Sequence, residues 1–340
     1  MPRTGLTPPG ASAPTVPLRH KKVSAGERIS ASFSRGLDLI RIQQSPWGGT
    51  PLRPASRARR QLRLARGETI RLTRVELAKQ LPRPRTWLTL AVMVALPILI
   101  TIVLGLGGVG STSTQSPIAN FVTVARKSGL DMPFAALDAM EPILLVAAVA
   151  IFVGEALTGE ASWGSLRALL SRPISRSRLL ASKALVAALL GIAAAVAVPL
   201  FGLASGLIAF GWHPIATPQA ITYSQSEALI KVGIATLYTV VSMAGFGSIA
   251  LFVSTATDST IGAVATGVGA AMVSQILDAL PTLGGIRAIL PTHYMFAWGY
   301  LFVQPAQYGP MLRGVIVQLG YCIVFDAAAW WWFTRKDILS

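Results

Sequence analysis

Glu155 and Glu160 stand five positions apart in "GEALTGEASWGSLRALLSRPISRSRLLASK", Gly154–Lys183, and are followed by Arg167, Arg172, Arg176, Arg178 and Lys183. Two carboxylates in one short stretch could serve as general acid and base. That chemistry needs a nucleophile, a metal or a phosphate cradle beside it, and the sequence supplies no such companion. The one cysteine, Cys322, sits in an apolar run, and His20, His213 and His293 lie far apart without ligand spacing. The phosphate-binding pattern G-x-x-x-x-G-K-[ST] does not occur. No catalytic residue, metal ligand or cofactor of this chain's own is therefore expected. Three other carboxylates have an unusual setting: Asp138, Glu141 and Asp326 fall within or beside long apolar runs. An ionised group at the centre of a membrane helix costs about 2.5–3.5 kcal/mol and marks either a path or a bonded neighbour. Asp326 fits a substrate path or a hydrogen bond to a neighbouring helix. Asp138 and Glu141 fit the outer mouth of a path or the headgroup layer.

The elements that must position these groups follow from composition. Of 340 residues, 52% are hydrophobic and 13% charged, with mean hydropathy +0.57. Soluble domains carry about a quarter charged residues, so the expected class is an all-α integral membrane protein. Six transmembrane helices are predicted at about 87–107, 133–157, 184–210, 229–253, 260–280 and 314–333, each long enough to cross about 30 Å of hydrocarbon. Pro97 predicts a kink in the first, and "WWWF" closes the last as an aromatic belt. Before them, 68–82 reads as a short interfacial helix with Ile70, Leu77 and Leu81 on one side. Residues 1–67 are rich in Pro, Ser, Gly and Arg and poor in large apolar residues, which predicts a disordered basic tail. Residues 68–340 then form the transmembrane domain. Between the fifth and sixth spans, Met295, Phe296, Trp298, Tyr300 and Phe302 suit short helices dipping into the outer interface.

Net charge is +16, a value that also suits nucleic-acid binders. Its distribution points to a membrane instead. With the amino terminus inside, the segments 1–86, 158–183, 254–259 and 334–340 hold 25 of the 30 Lys and Arg. The positive-inside bias then predicts a multi-pass protein of the cell membrane with both termini cytoplasmic. Lipid is the expected environment, and nucleic acid is not an expected partner.

Gly154–Lys183 accordingly becomes a cytoplasmic loop between the second and third spans. Trp163, Leu166, Leu169 and Leu170 recur at helical spacing, so 162–172 predicts a short helix with one apolar face. Pro173 ends it, Ser175 is placed to cap the next helix, and Arg176, Arg178 and Lys183 reach for the membrane surface. Such a short helix does not persist alone in water, so it needs a partner surface.

Glu155, then Gly164, Leu166, the pair Leu169 and Leu170, Ser171, Arg172, Pro173, Ser175, Arg176 and Lys183 resemble the corresponding loop of ABC-2 type permeases, the membrane subunits of bacterial ABC exporters. "RVELAKQL" before the first span and "FTRKDI" after the last extend the likeness over about 68–340. Ser165, where threonine is commoner, and the long tail depart from the pattern. The resemblance implies a bacterial exporter permease that pairs with a second copy or a related subunit. Separate cytoplasmic ATPase subunits, carrying ATP and Mg, would bind the loop through a coupling helix, with Glu155, Glu160, Trp163, Gly164, Leu166, Leu169, Leu170, Arg172, Pro173 and Arg176 at the contact. An ion-coupled secondary transporter working through Asp326 and Glu141 is the alternative from another class.

Overall fold

The computed structural model describes residues 72–107, 125–162, 175–216, 222–257 and 259–335, the side chains of 159–162 and 216 excepted. The tail 1–67, the short loop helix with Trp163, Gly164, Leu166, Leu169, Leu170, Arg172 and Pro173, and the side chain of Glu160 lie outside the described residues.

Six helices are long and apolar enough to cross a membrane, which fits a multi-pass all-α membrane protein. A first helix, α1, covers residues 72–80, and α2 covers Pro84–Gly105. The second span is composite. A 3-10 turn, Gly129–Asp131, leads into α3, Met132–Met140, then a π turn, Glu141–Leu145, and then α4, Val146–Ser162. Pro142 lacks the amide hydrogen that a regular α-helix would use, and the chain widens there into the π geometry. The remaining spans are α5, Arg176–Phe210; α6, Gln225–Ala256; α7, Thr260–Asp278; and α8, Gly309–Arg335. Helix α5 begins eight residues before the predicted 184, because the polar turn from Arg176 to Lys183 is already helical. Ser175 holds the N-cap position of α5 but makes no side-chain cap bond, whereas Ser224 and Glu227 form a full capping box on α6. Helix α2 runs through Pro97. The one departure from an all-helical chain among the described residues is a two-residue antiparallel ladder, Ile215–Ala216 with Thr222–Tyr223.

Helices α4 and α6 pack on each other and on α5 and α7, and α6 makes its broadest contact with α8. Phe134, Phe152, Phe246 and Met140 are fully buried in this centre. By contrast, α2, α7 and α8 expose Leu88, Leu99, Ile102, Ile276, Ile316 and Ile323. An apolar outer belt of this kind is stable only under a cover that is itself apolar, such as acyl chains.

The bundle has two chemically different ends. At the far end, Gly129 meets the last turns of α5 so closely that a Cβ on Gly206 would lie 2.6 Å from the Gly129 carbonyl oxygen. The 3-10 helix Ala297–Phe302 tucks inward there, with Trp298 and Phe302 buried against Phe134. Lys231 donates to the Leu301 carbonyl and lies 4.2 Å above the Tyr223 ring, an inward anchor and not the outward reach its position suggests. Burial raises the Tyr223 phenol above its ordinary pKa. The opposite end gathers α1, the start of α2, the end of α4, the starts of α5 and α7, and the end of α8. We call it the loop end, since the connection from α4 to α5 leaves from it.

Candidate functional site

Both roots of that connection are tied down. At the α4 root, Glu155 is largely buried and accepts a hydrogen bond from Arg85 Nη1 at 3.0 Å, across 70 residues of chain. Thr158, one turn later, shares a hydroxyl–hydroxyl bond of 2.8 Å with Thr260 at the start of α7. On the α5 side, Lys183 is wholly buried and donates to Glu76 Oε1 of α1 at 2.8 Å. Arg176 reaches the Thr334 carbonyl at 3.5 Å, and the Trp330 indole donates to Ser177 Oγ at 3.0 Å, both on α8. Four elements distant in sequence thus grip the two ends of one loop.

One sequence expectation changes here. Lys183 does not reach for the membrane surface but is wholly buried, where the Glu76 carboxylate at 2.8 Å offsets the loss of its solvation. Helix α1, read from the sequence as interfacial with Leu77 and Leu81 on one side, turns a polar side to the bundle. Its inward residues are Glu76 and Gln80, with Leu77 half-buried and Leu81 exposed. The ion pair to Lys183 and the bond from Thr86 Oγ1 to the Gln80 carbonyl at 3.0 Å set this rotation.

Above the loop end, α5, α6 and α8 part around a cavity of about 650 Å³, floored by Val149 and Val153 of α4. Its α5 wall begins at Ser177 and ends at Ile192, so the cavity occupies the loop-end half of the bundle. The walls are apolar apart from Ser177, Ser248, Cys322, Asp326 and the Trp330 indole. Asp326 is the single carboxylate there. Ser248 of α6 faces it, and Cys322 lies one turn before it on α8. No basic residue lines the cavity, and among the described residues no cation pairs with Asp326.

The carboxylates singled out from the sequence therefore separate. Asp326 is in the cavity wall. Glu141 is fully buried in the far half, at the π turn, where Trp298 Nε1 donates to its Oε2 at 3.1 Å and its Oε1 has no partner within hydrogen-bond geometry among the described residues. Asp138, one turn earlier on α3, is half-buried, and neither it nor Glu141 lines the cavity. Glu155 and Arg176 come together at the loop end as described. Among the described residues no three His, Cys, Asp or Glu side chains approach one another as metal ligands would. Ser177, Ser248 and Trp330 escape sequence reasoning, although Leu319, Cys322, Asp326 and Trp330 repeat at three- and four-residue intervals and already mark one face of α8.

Residues 111–339 match the family described as "Protein of unknown function (DUF2705)". No curated protein matches the chain.

Proposed function

The chain belongs to the DUF2705 family, and from that premise we propose that it is the membrane permease subunit of an ATP-driven exporter, coupled to separate ATPase subunits through the loop between α4 and α5. One observation carries the reading: both roots of that loop are clamped to distant elements, by Glu155 to Arg85 and by Lys183 to Glu76. A loop held this way transmits displacement. If a partner pushes it, the start of α2, helix α1 and the start of α5 move with it as rigid bodies. An apolar face at Trp163, Leu166, Leu169 and Leu170, stopped by Pro173 and bordered by Arg172, supplies the knob that such a partner would seat, with Glu160 at its near edge. In this arrangement the loop is cytoplasmic, both termini are inside the cell membrane, and a second copy or a related permease completes the path.

The test is capture of the tagged full chain from its native membrane, with identification of the proteins that come with it. The reading expects an ATP-binding cassette ATPase with wild type and its loss with the double variant Leu169→Asp/Leu170→Asp. Retained capture in the double variant removes the docking assignment. Robust ATP hydrolysis by the purified chain alone removes the division of labour. Asp326, exposed and without a cationic partner among the described residues, favours a second reading, an ion-coupled transporter. That reading expects transport to stop when the proton gradient collapses while ATP is plentiful.

A further inference from the structure

The cavity above the loop end exists for a readable reason. Helix α5 turns Ala181, Ala184, Ala188 and Gly191 toward it, and α6 turns Ala244 and Gly247. Two faces of small residues cannot fill the wedge that α8 leaves open. The α5 wall, fifteen steps from Ser177 to Ile192, runs about 22 Å at 1.5 Å per residue. The volume of about 650 Å³ lies in the range of small-molecule sites, roughly 300–1,000 Å³, whose walls are mostly apolar with a few placed polar groups.

We propose that this cavity binds a hydrophobic monocation, such as a lipophilic amine or a quaternary onium ion, with its charge at Asp326 and its apolar body along α5.

Three observations select that class. First, Asp326 is exposed to the cavity in an otherwise apolar wall and has no cationic partner among the described residues. A carboxylate beside a mostly apolar wall attracts a cation more strongly than it would in bulk water, and the Ser248 hydroxyl facing it leaves its charge uncompensated. Second, Asp326 lies nine residues inside the end of α8 at Arg335, about 13 Å along the axis. It also lies one turn inside the aromatic run Trp330–Phe333 that closes the span. Third, the stretch 314–334 of α8 contains neither Lys nor Arg, so a parallel second copy of α8 would bring its cations Arg313 and Arg335 only at its ends, away from Asp326. The Trp330 indole at the cavity's loop end adds a π face that favours cations over neutral ligands.

The inference names a substrate class for the exporter reading and rests on that reading for the direction of transport only. Binding is measured without any ATPase, so failure here and failure of ATPase capture are separate results. Cys322 is the single cysteine of the chain and lines the cavity, so its alkylation by N-ethylmaleimide reports this one place. The full chain, in nanodiscs of zwitterionic lipid, is alkylated with increasing tetraphenylphosphonium or with tetraphenylborate, an anion of the same shape. Tetraphenylphosphonium is expected to slow alkylation saturably and tetraphenylborate to leave it unchanged. Asp326→Asn is expected to raise the half-protecting concentration about tenfold or more, and Asp326→Glu to restore it to within a few-fold, as coupling of a desolvated charge pair requires. Ala188→Trp, which fills the wedge, is expected to abolish protection while unliganded chain still melts cooperatively. Equal protection by both ions, an unchanged concentration in Asp326→Asn, or no protection at all overturns the proposal. So does spontaneous Cys322–Cys322 cross-linking between copies, which would show this face covered by protein.

Discussion

Lys183→Met tests the clamp at its most buried point. The Lys183 side chain is 0% exposed and its partner Glu76 7% exposed, at 2.8 Å. Methionine keeps the unbranched stem and its packing but removes the charge. Glu76 then retains the 4.0 Å approach of Lys79, whose side chain is 43% exposed, and a solvated pair at that distance contributes about 0–1 kcal/mol. Removing one member of a buried pair costs about 3–5 kcal/mol, and the residual Lys79 contact and slight exposure of Glu76 place this case near the lower limit. A loss of about 3 kcal/mol corresponds to a drop of roughly 5–10 °C in melting temperature for a domain of this general size. The control is Glu76→Leu/Lys183→Met, which replaces both charges with apolar groups and is expected within about 1 kcal/mol of wild type. Tryptophan fluorescence during thermal unfolding in nanodiscs follows both, since the chain has 8 tryptophans. The reasoning fails if the single variant loses less than about 1 kcal/mol. It also fails if the double variant is no more stable than the single one, because then no pairwise coupling exists.

Gly206→Ala places a Cβ 2.6 Å from the Gly129 carbonyl oxygen and 2.5 Å from Met132 Cγ, so a stability loss of about 1–3 kcal/mol is expected by thermal melting; Gly269→Ala, where nothing lies within 4 Å, should melt with wild type. Trp298→Phe takes the donor from a fully buried carboxylate whose other oxygen already lacks a partner. An accompanying loss of about 1–3 kcal/mol in denaturant unfolding is expected, and Glu141→Leu in that background should recover part of it. Trp330→Phe deletes the bond to Ser177 with the ring retained. Stability should change by less than about 1.5 kcal/mol, while transport driven by the captured ATPase falls more than ATPase binding does.

Legibility from sequence followed the range of the interactions. Span positions rest on local composition, and the predicted 260–280 and 314–333 fall on α7 and α8 within a few residues. A short helical segment carrying Trp298 and Phe302 is legible from five large apolar side chains in one loop, but the sequence reads it as dipping into the outer interface, whereas both rings are buried against Phe134. The π turn at Glu141–Leu145 was not singled out, although Pro142 inside an apolar run is its visible cause. Lys183 was misplaced for a different reason. Its basic neighbours Arg176 and Arg178 suggest a surface run, and its true partner Glu76 lies 107 residues earlier with no periodic signal connecting them. Similarly, the sequence marks Leu77 and Leu81 on one side of α1, but the inward side is defined by Glu76, whose partner lies 107 residues later.

The clamp and the cavity share parts, and that sharing gives the exporter reading its mechanical content. Ser177 is two residues past the described beginning of α5's side of the loop, and it both bonds to Trp330 and forms the cavity's first wall residue. Trp330 is one turn beyond Asp326 on α8 and closes the same end. Arg176, adjacent, holds the Thr334 carbonyl one further turn along. A pull on the loop would therefore reach α8 through these two bonds, beside α1 and α2 through Lys183 and Glu155. Since α8 packs most broadly on α6 and only lightly on α5, the weaker seam is the one that bears the cavity. Rigid helices joined by one strong and one weak seam separate at the weak one. Loop displacement would then widen or narrow the space beside Asp326, so that a binding event outside the membrane changes the affinity of a site within it.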